Sequence, residues 1–220
     1  ATKRLSGIHV LASLADDWLA LSETKEVDTC IEVLCAYLRA PIPADENEPS
    51  VRSGGMSAIA RRLTNAYGDG PGPWSHLRFN LSGMPITTRC GLENIHLVAH
   101  GLINFSNSTV TGEGTLSLSG LHLDDHGTIA MVGTVIGEGA SVCIDEGARF
   151  AGQSTLLLNE VRLEAGATLL ITDEVVLMDS ATIAAFDLEV RGSMLAFGLG
   201  FAVPIVLVAL QLVGVLKPQQ

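Results

Sequence analysis

The chain has 220 residues, room for one or two domains, and 47% of them are hydrophobic while only 5% are aromatic. This composition favours stacked aliphatic layers over a core built around large rings, and the 23 glycines indicate many turns. The net charge is −11, and residues 90–193 carry 14 acidic side chains against 3 basic ones, which argues against direct nucleic-acid binding.

The four cysteines, Cys30, Cys35, Cys90 and Cys143, form no CxxC pair and no Cys/His spacing typical of a zinc site. We therefore expect free thiols, a reducing compartment, and no metal ion or cofactor. The chain starts at Ala1 and shows no signal peptide. We therefore expect a fragment or a processed product, in which case a membrane segment could precede it.

Residues 1–67 are predicted to form a small helical domain. An apolar stripe predicts the first helix, and its members are Leu5, Ile8, Leu11, Ala12 and Ala15. A second helix is expected at about Val27–Leu38, with Ile31, Leu34, Cys35 and Leu38 facing inward, and a third from about Ser50 to Tyr67.

The third helix repeats the first. Three residues recur 48 positions later, namely Arg4, Gly7 and Leu11 as Arg52, Gly55 and Ile59. The two glycines should allow close helix packing, and the recurrence predicts a HEAT-like helical pair. A plain helical bundle is the alternative.

Residues 68–88 are predicted to be a linker, because the run from Gly68 to Pro73 cannot hold regular structure, and Trp74 is expected to cap the next domain. Residues 89–193 contain an internal repeat with a period of about 13–14 residues, and wrapping the chain at this period gives four apolar columns. Only two positions in these columns are polar, Ser108 and Thr134, and both belong to the third column. The first column is Cys90, Ile103, Leu116, Ile129, Val142, Leu156, Leu169 and Ile183.

Inward residues lie two apart within each turn, which is the alternation of a β-strand. Eight stacked turns at about 4.8 Å each predict a parallel β-solenoid about 38 Å long. An antiparallel meander of hairpins is the alternative, and it would need a cover for its apolar face. The predicted fold class is α+β: a small all-α domain, a parallel β-solenoid (β-helix) of about eight turns, and a C-terminal transmembrane helix.

Residues 194–216 form a long apolar segment without a charge, flanked by Arg191 and Lys217. As a helix they would span about 35 Å, enough to cross a hydrocarbon core of about 30 Å. An apolar helix or strand docked on the last turn of the solenoid is the alternative, and residues 217–220 form a short tail.

Five blocks of the N-terminal part are Arg4–Ala12, Leu14–Trp18, Cys30–Arg39, Ser50–Arg52 and Trp74–Gly83. In this order they resemble actinobacterial pentapeptide-repeat-containing membrane proteins. The resemblance implies a membrane-associated, cytoplasm-facing β-solenoid with no established activity, so it assigns no functional residue. Strict five-residue repeats are absent here, and that family usually carries its membrane helices upstream.

The one cluster of acids with a histidine is Asp124-Asp125-His126, whose members are also ordinary turn residues. Two pairs, His96 with His122 and His100 with His126, are expected two turns apart, about 10 Å, too far to share a metal ion. A hydroxyl ladder is expected on the outer surface, where it stacks hydrogen bonds or orders water: Thr115, Thr128, Ser141, Thr155, Thr168 and Thr182. We therefore predict no catalytic, cofactor-binding or metal-binding residue.

These features predict a non-enzymatic, membrane-attached scaffold or protein-interaction module that displays an acidic solenoid surface to the cytoplasm. Its partners would be the lipid membrane, through residues 194–216, and a protein or a second copy. One alternative is a DNA mimic that inhibits a DNA-binding enzyme, for which four acids come near one outward column: Asp145, Glu160, Asp173 and Asp187. The other is a β-helix enzyme acting on polysaccharide, which the lack of Trp and Tyr in the solenoid disfavours.

Overall fold

The structure, a computed structural model, describes residues 2–45, 47–65, 70–145, 147–172, 175–190 and 194–197. Its N-terminal part contains the three expected helices, α1 (Thr2–Ala20), α2 (Thr24–Arg39) and α3 (Glu48–Leu63). The inward face predicted for α2 is buried, and so are Ile8, Ala12 and Ala15 of α1. The HEAT-like arrangement of these helices stays a prediction.

Only one of the two glycines expected at close helix contacts makes such a contact. A Cβ atom on Gly55 would lie 3.0 Å from Leu38 Cδ2, whereas a Cβ atom on Gly7 would meet nothing within 4 Å. Gly54 takes the role predicted for Gly7, because a Cβ atom there would overlap the side chain of Leu5. Gly54 therefore lies at the contact between α1 and α3, where it leaves room for the side chain of Leu5.

The remaining described residues form nineteen short strands in four parallel sheets. Sheet A contains β1 (Arg78–Asn80), β5 (Leu102–Asn104), β9 (Thr128–Ala130), β13 (Thr155–Asn159) and β17 (Thr182–Phe186). Sheet B contains β2 (Pro85–Ile86), β6 (Thr109–Val110), β10 (Val135–Ile136), β14 (Arg162–Leu163) and β18 (Glu189–Val190). Sheet C contains β3 (Arg89–Gly91), β7 (Thr115–Ser117), β11 (Ser141–Ile144), β15 (Thr168–Ile171) and β19 (Met194–Phe197). Sheet D contains β4 (His96–Leu97), β8 (His122–Leu123), β12 (Arg149–Phe150) and β16 (Val176–Leu177).

The chain visits sheets A, B, C and D in turn, so each coil adds one strand to each side of a four-sided parallel β-solenoid. This confirms the predicted solenoid, and the parallel pairing excludes the meander. Sheet register pairs Leu102 with Thr128 and Thr128 with Thr155. One coil is therefore about twice as long as the repeat of the sequence.

The prediction of eight turns is therefore wrong. The described solenoid has about four coils, which at about 4.8 Å each rise about 20 Å rather than about 38 Å. The reason is that the two halves of a coil are alike: each consists of a strand, a corner and a second strand. The sequence pattern therefore repeats twice in every coil.

The first coil begins earlier than predicted. The sequence predicts a linker at residues 68–88, but this range contains strands β1 and β2. They pair with β5 and β6 of the next coil. The first coil, from Arg78 to its partner Leu102, is shorter than the next one, from Leu102 to Thr128, so it falls out of step with the later repeats. Trp74 is buried beside it, with its ring centroid 6.1 Å from that of Phe79.

The helices cover the N-terminal end of the solenoid. Helix α2 packs against β1, and α3 packs against β3. Arg39 Nη1 donates a hydrogen bond of 3.1 Å to the backbone oxygen of Asn80, and Ser75 Oγ donates one of 2.8 Å to that of Leu63. Because an open sheet end can pair with another chain, this cover protects the first coil from strand addition.

The solenoid core is aliphatic, and the two polar residues that interrupt the predicted apolar columns are hydrogen-bonded. The first predicted column is buried from Cys90 to Leu169. Ser108 Oγ donates a hydrogen bond of 3.2 Å to the backbone oxygen of Leu81, and Thr134 Oγ1 donates one of 3.1 Å to that of Phe105. Each hydroxyl thus bonds to the preceding coil, which offsets the cost of burying it.

The corners between sheets use residues that tolerate left-handed backbone. Gly112, Gly139 and Gly166 occupy the corner between sheets B and C in successive coils, with φ of 63°, 73° and 78°. Most other residues carry a Cβ atom that disfavours this conformation, whereas Asn, Asp and His adopt it more readily. These residues therefore allow sharp changes of direction between sheets.

At the C-terminal end, Met194–Phe197 is strand β19 and pairs with β15. The first four residues of the predicted transmembrane helix, 194–216, are thus a strand rather than part of a helix. Among the described residues, no helix is both long enough and apolar enough to span a membrane. Residues 198–220, which contain the remainder of that segment and the predicted tail, lie outside the described residues.

Candidate interaction surfaces

Two pairs of histidines lie in neighbouring coils, not two turns apart. The register of sheet D pairs His96 with His122, and their ring centroids are 4.4 Å apart. Further along the chain, the rings of His100 and His126 stack with centroids 4.6 Å apart and 16° between their planes. The predicted separation of about 10 Å is wrong because one coil contains two sequence repeats rather than one. Distance therefore does not exclude a metal ion shared by either pair.

The pair on sheet D consists of the buried His96 and the half-buried His122, and it lies beside a positive charge. His96 is only 4% exposed, and Arg149 occupies the position of His122 in the next coil. The pKa of His122 is lowered, first because burial penalises the imidazolium and then because Arg149 repels it, while Asp124 acts in the opposite direction. These surroundings favour neutral imidazole and disfavour an additional cation.

The second pair, His100 and His126, lies at the corner between sheets D and A. Both residues have left-handed backbone, with φ of 70° and 71°. His100 is exposed and His126 is half-buried, and Asp124 and Asp125 precede His126 in its corner. The cluster of Asp124, Asp125 and His126 thus forms a corner of the solenoid, which agrees with their prediction as ordinary turn residues. Within the described ranges, no three histidine, cysteine or acidic side chains converge on one metal position.

The predicted hydroxyl ladder divides between two opposite sheets. Thr128, Thr155 and Thr182 are in register on sheet A, whereas Thr115, Ser141 and Thr168 are in register on sheet C. On sheet C, Thr115 Oγ1 and Ser141 Oγ are 3.1 Å apart, a hydrogen bond between coils. On sheet A, Thr128 Oγ1 instead donates to the backbone oxygen of His126 at 3.1 Å.

The four faces of the solenoid differ in width and charge. Strands of sheets A and C have three to five residues, and those of sheets B and D have two. Above the first coil, the charged side chains of the described strands occur on the narrow faces, where Arg162 Nε lies 3.4 Å from Glu189 Oε2 on sheet B and Arg149 projects from sheet D. The described outward positions of sheet A above the first coil carry uncharged residues: Leu102, Asn104, Thr128, Ala130, Thr155, Leu157, Asn159, Thr182, Ala184 and Phe186.

The four acids predicted near one outward column do not share one. Glu160 and Asp187 occupy the same corner in consecutive coils, one residue beyond the paired Asn159 and Phe186. Asp145 instead follows β11 on sheet C, where it accepts a hydrogen bond of 2.5 Å from Ser119 Oγ. Asp173 lies outside the described residues. The regular spacing of acids that would favour a DNA mimic is therefore not found among these residues.

All four cysteines have free thiols, as the sequence predicts, and three of them are buried. Burial raises the pKa of Cys35 and of Cys90 to about 12. Burial also raises the pKa of Cys30 and Cys143, with the charge of Asp145 adding to the shift at Cys143. Because the reactive form of cysteine is the thiolate, these thiols are poorly suited to act as nucleophiles.

A buried charged cluster joins the three helices and is not evident from the sequence. The side chain of Glu48 is 1% exposed and accepts hydrogen bonds from Arg52 Nε at 2.9 Å, Arg4 Nη1 at 2.6 Å and Tyr37 Oη at 3.0 Å. Arg52 also donates to the backbone oxygen of Leu38 at the end of α2. The recurrence of Arg4 as Arg52 singled out both arginines, but nothing in the spacing identified the carboxylate they share.

In comparisons with known proteins, no family model, no curated protein and no solved structure matches this chain. Its function is therefore inferred from its own surfaces. The resemblance of its N-terminal blocks to pentapeptide-repeat-containing membrane proteins stays a prediction.

Proposed function

We propose that this chain is a non-enzymatic scaffold that binds a protein partner along the outer face of sheet A and is attached to a membrane by its C-terminal segment. The observation that carries the proposal is the face itself. Above the first coil it combines in-register threonines with small and aliphatic residues, and its described positions bear no charge. In a chain of net charge −11, water is removed from such an uncharged face at less cost than from the narrow faces that carry charged side chains.

The size of the face supports a transient contact rather than a permanent complex. Four strands at about 4.8 Å, each about four residues wide at about 3.3 Å per residue, give about 250 Å². A stable interface buries about 800 Å² on each partner. A scaffold held at a membrane compensates for weak contacts, because attachment raises the effective concentration of its partners.

Membrane attachment rests on residues 198–216, the part of the predicted span that follows β19. This segment carries no charge. As a helix it would cover about 28 Å, close to a hydrocarbon core of about 30 Å. The family resemblance of the N-terminal blocks implies the same location.

Site-specific photocrosslinking tests both parts of the proposal at once. A benzophenone amino acid replaces Leu157, at the centre of the sheet A face, in the full chain and in a chain that ends at Phe197. After irradiation of producing cells, membranes are separated by flotation. We expect a discrete protein adduct, with the full chain in the floating fraction and the shorter chain in the soluble fraction.

The matched control places the same crosslinker at Val135, which points outward from narrow sheet B. Equal adducts from both positions would contradict a specific sheet A interface. If the chain ending at Phe197 floats as well as the full chain, residues 198–216 are not the attachment. The shorter chain keeps β19, so loss of flotation does not result from removing a strand of the solenoid.

A further inference from the structure

We propose that His100 and His126 together bind a late first-row divalent metal ion, such as Ni²⁺, Cu²⁺ or Zn²⁺, in a site that bridges two coils. Imidazole is a preferred ligand of these ions, whereas Mg²⁺ and Ca²⁺ require oxygen ligands. The two rings come from equivalent corner positions of consecutive coils, so the solenoid itself fixes their distance. This site is separate from the proposed sheet A interface and does not depend on it.

The spacing of the pair, once the rings rotate, suits two nitrogen ligands of one ion. Two nitrogens bound at about 2.0–2.1 Å with a tetrahedral angle lie about 3.4 Å apart. The ring centroids of His100 and His126 are 4.6 Å apart, and the planes differ by 16°. Because stacked rings direct their nitrogen lone pairs side by side, both side chains must rotate before one nitrogen of each points at a common ion. His100 is exposed and His126 is half-buried, which leaves room for this rotation. Water molecules would complete the coordination.

Local charge distinguishes this pair from the pair on sheet D. Asp124 and Asp125 belong to the same corner as His126. Asp179 lies in the equivalent corner two coils later, where its Oδ2 accepts a hydrogen bond of 3.4 Å from the backbone nitrogen of Gly152. These carboxylates favour a bound cation near the corner.

The sheet D pair is a built-in control for this site. It has a similar ring distance, 4.4 Å, but His122 has Arg149 as its neighbour in the next coil. The local charge there is opposite to that around His126, so a metal ion should prefer the corner pair.

A third ligand position exists in the next coil. The register that pairs Phe150 with Leu123, and Thr155 with Thr128, places Gln153 in register with His126, although Gln153 lacks the left-handed backbone of His100 and His126. Gln153 is exposed. Substitution of Gln153 by histidine would give three imidazoles in three successive coils, which is the number of protein ligands in open zinc sites.

Isothermal titration of the full, untagged chain with NiCl₂ tests the site. We expect one saturable Ni²⁺ site, weakened at least about tenfold by His100→Ala and by His126→Ala. His122→Ala should leave the affinity unchanged, and Gln153→His should increase it. Circular dichroism of each variant confirms that it folds.

Absence of saturable binding by the wild-type chain would overturn the proposal. So would equal losses in His122→Ala and His126→Ala, because ligands would then come from elsewhere. If His126→Ala fails to fold, His100→Ala still decides the matter, since His100 is exposed and an affinity equal to that of the wild-type chain contradicts a site at this corner.

Discussion

A histidine at an outward position of this solenoid takes its properties from the residues one coil away. His122 meets His96 in the preceding coil and Arg149 in the following one, and neither neighbour is close to it in sequence. The two histidine pairs have nearly the same ring distance, 4.4 and 4.6 Å, yet one is buried beside an arginine and the other lies in an acidic corner. The residues of the neighbouring coils thus give the two similar histidine pairs different surroundings.

The lowered pKa of His122 predicts that acid destabilises the fold through this residue. At a pH above the ordinary histidine pKa of about 6.5, His122 is neutral in both the folded and the unfolded chain, so it contributes nothing to the pH dependence. As the pH falls below that value, the unfolded chain takes up the proton first, since burial and Arg149 resist protonation in the folded chain. The free energy of unfolding should therefore decrease until the pH reaches the lowered pKa.

Urea denaturation of the wild-type chain and of His122→Gln at pH 7.5, 6.5 and 5.5 measures this effect. The wild-type chain should lose more stability than the variant between pH 6.5 and 5.5. For one proton the difference in slope cannot exceed about 1.4 kcal/mol per pH unit. His96 and Asp124 are ionisable neighbours of His122, so the difference between the two chains, rather than the wild-type slope alone, is the test. Parallel slopes would contradict it.

At the scale of elements, periodicity identified every helix and the solenoid but not the size of a coil. The apolar faces of α1 and α2 follow from helical spacing, and alternation within strands follows from the pleat. The period could not be read correctly because Ile103 on sheet A and Leu116 on sheet C look alike in sequence. Charge clusters were less predictable still, since Glu48 gives no sign of burial until α1 and α3 are brought together.

Replacement of Glu48 by alanine should destabilise the helical domain by about 3–5 kcal/mol. The substitution removes the acceptor of Arg52, whose side chain is only 7% exposed, and leaves a buried charge without its carboxylate. Glu32→Ala is the control, because Glu32 pairs with Arg39 while 57% exposed and should cost less than about 1 kcal/mol. Equal losses in chemical denaturation would show that the cluster does not hold the helices together.

For the molecule as a whole, the structural repeat and the sequence repeat predict different effects of deletion. Removing residues 128–154, one whole coil, places Thr155 over Leu102 and leaves every later strand in its own sheet. Removing residues 128–140, half a coil, moves each later strand to the opposite sheet. Phe150 would then stack over Val110 on sheet B, where Ile136 now lies.

We expect the chain lacking a whole coil to be the more stable of the two, although it loses twice as many residues. Its unfolding should remain cooperative, with an m-value about one eighth lower because less surface is exposed. The half-coil deletion should unfold at lower urea, since large side chains meet positions that held smaller ones. Both chains retain the covering helices and β19, so neither deletion uncovers an end of the solenoid. An equal or higher urea midpoint for the half-coil deletion would mean that the half coil, not the four-sided coil, is the repeat that folds.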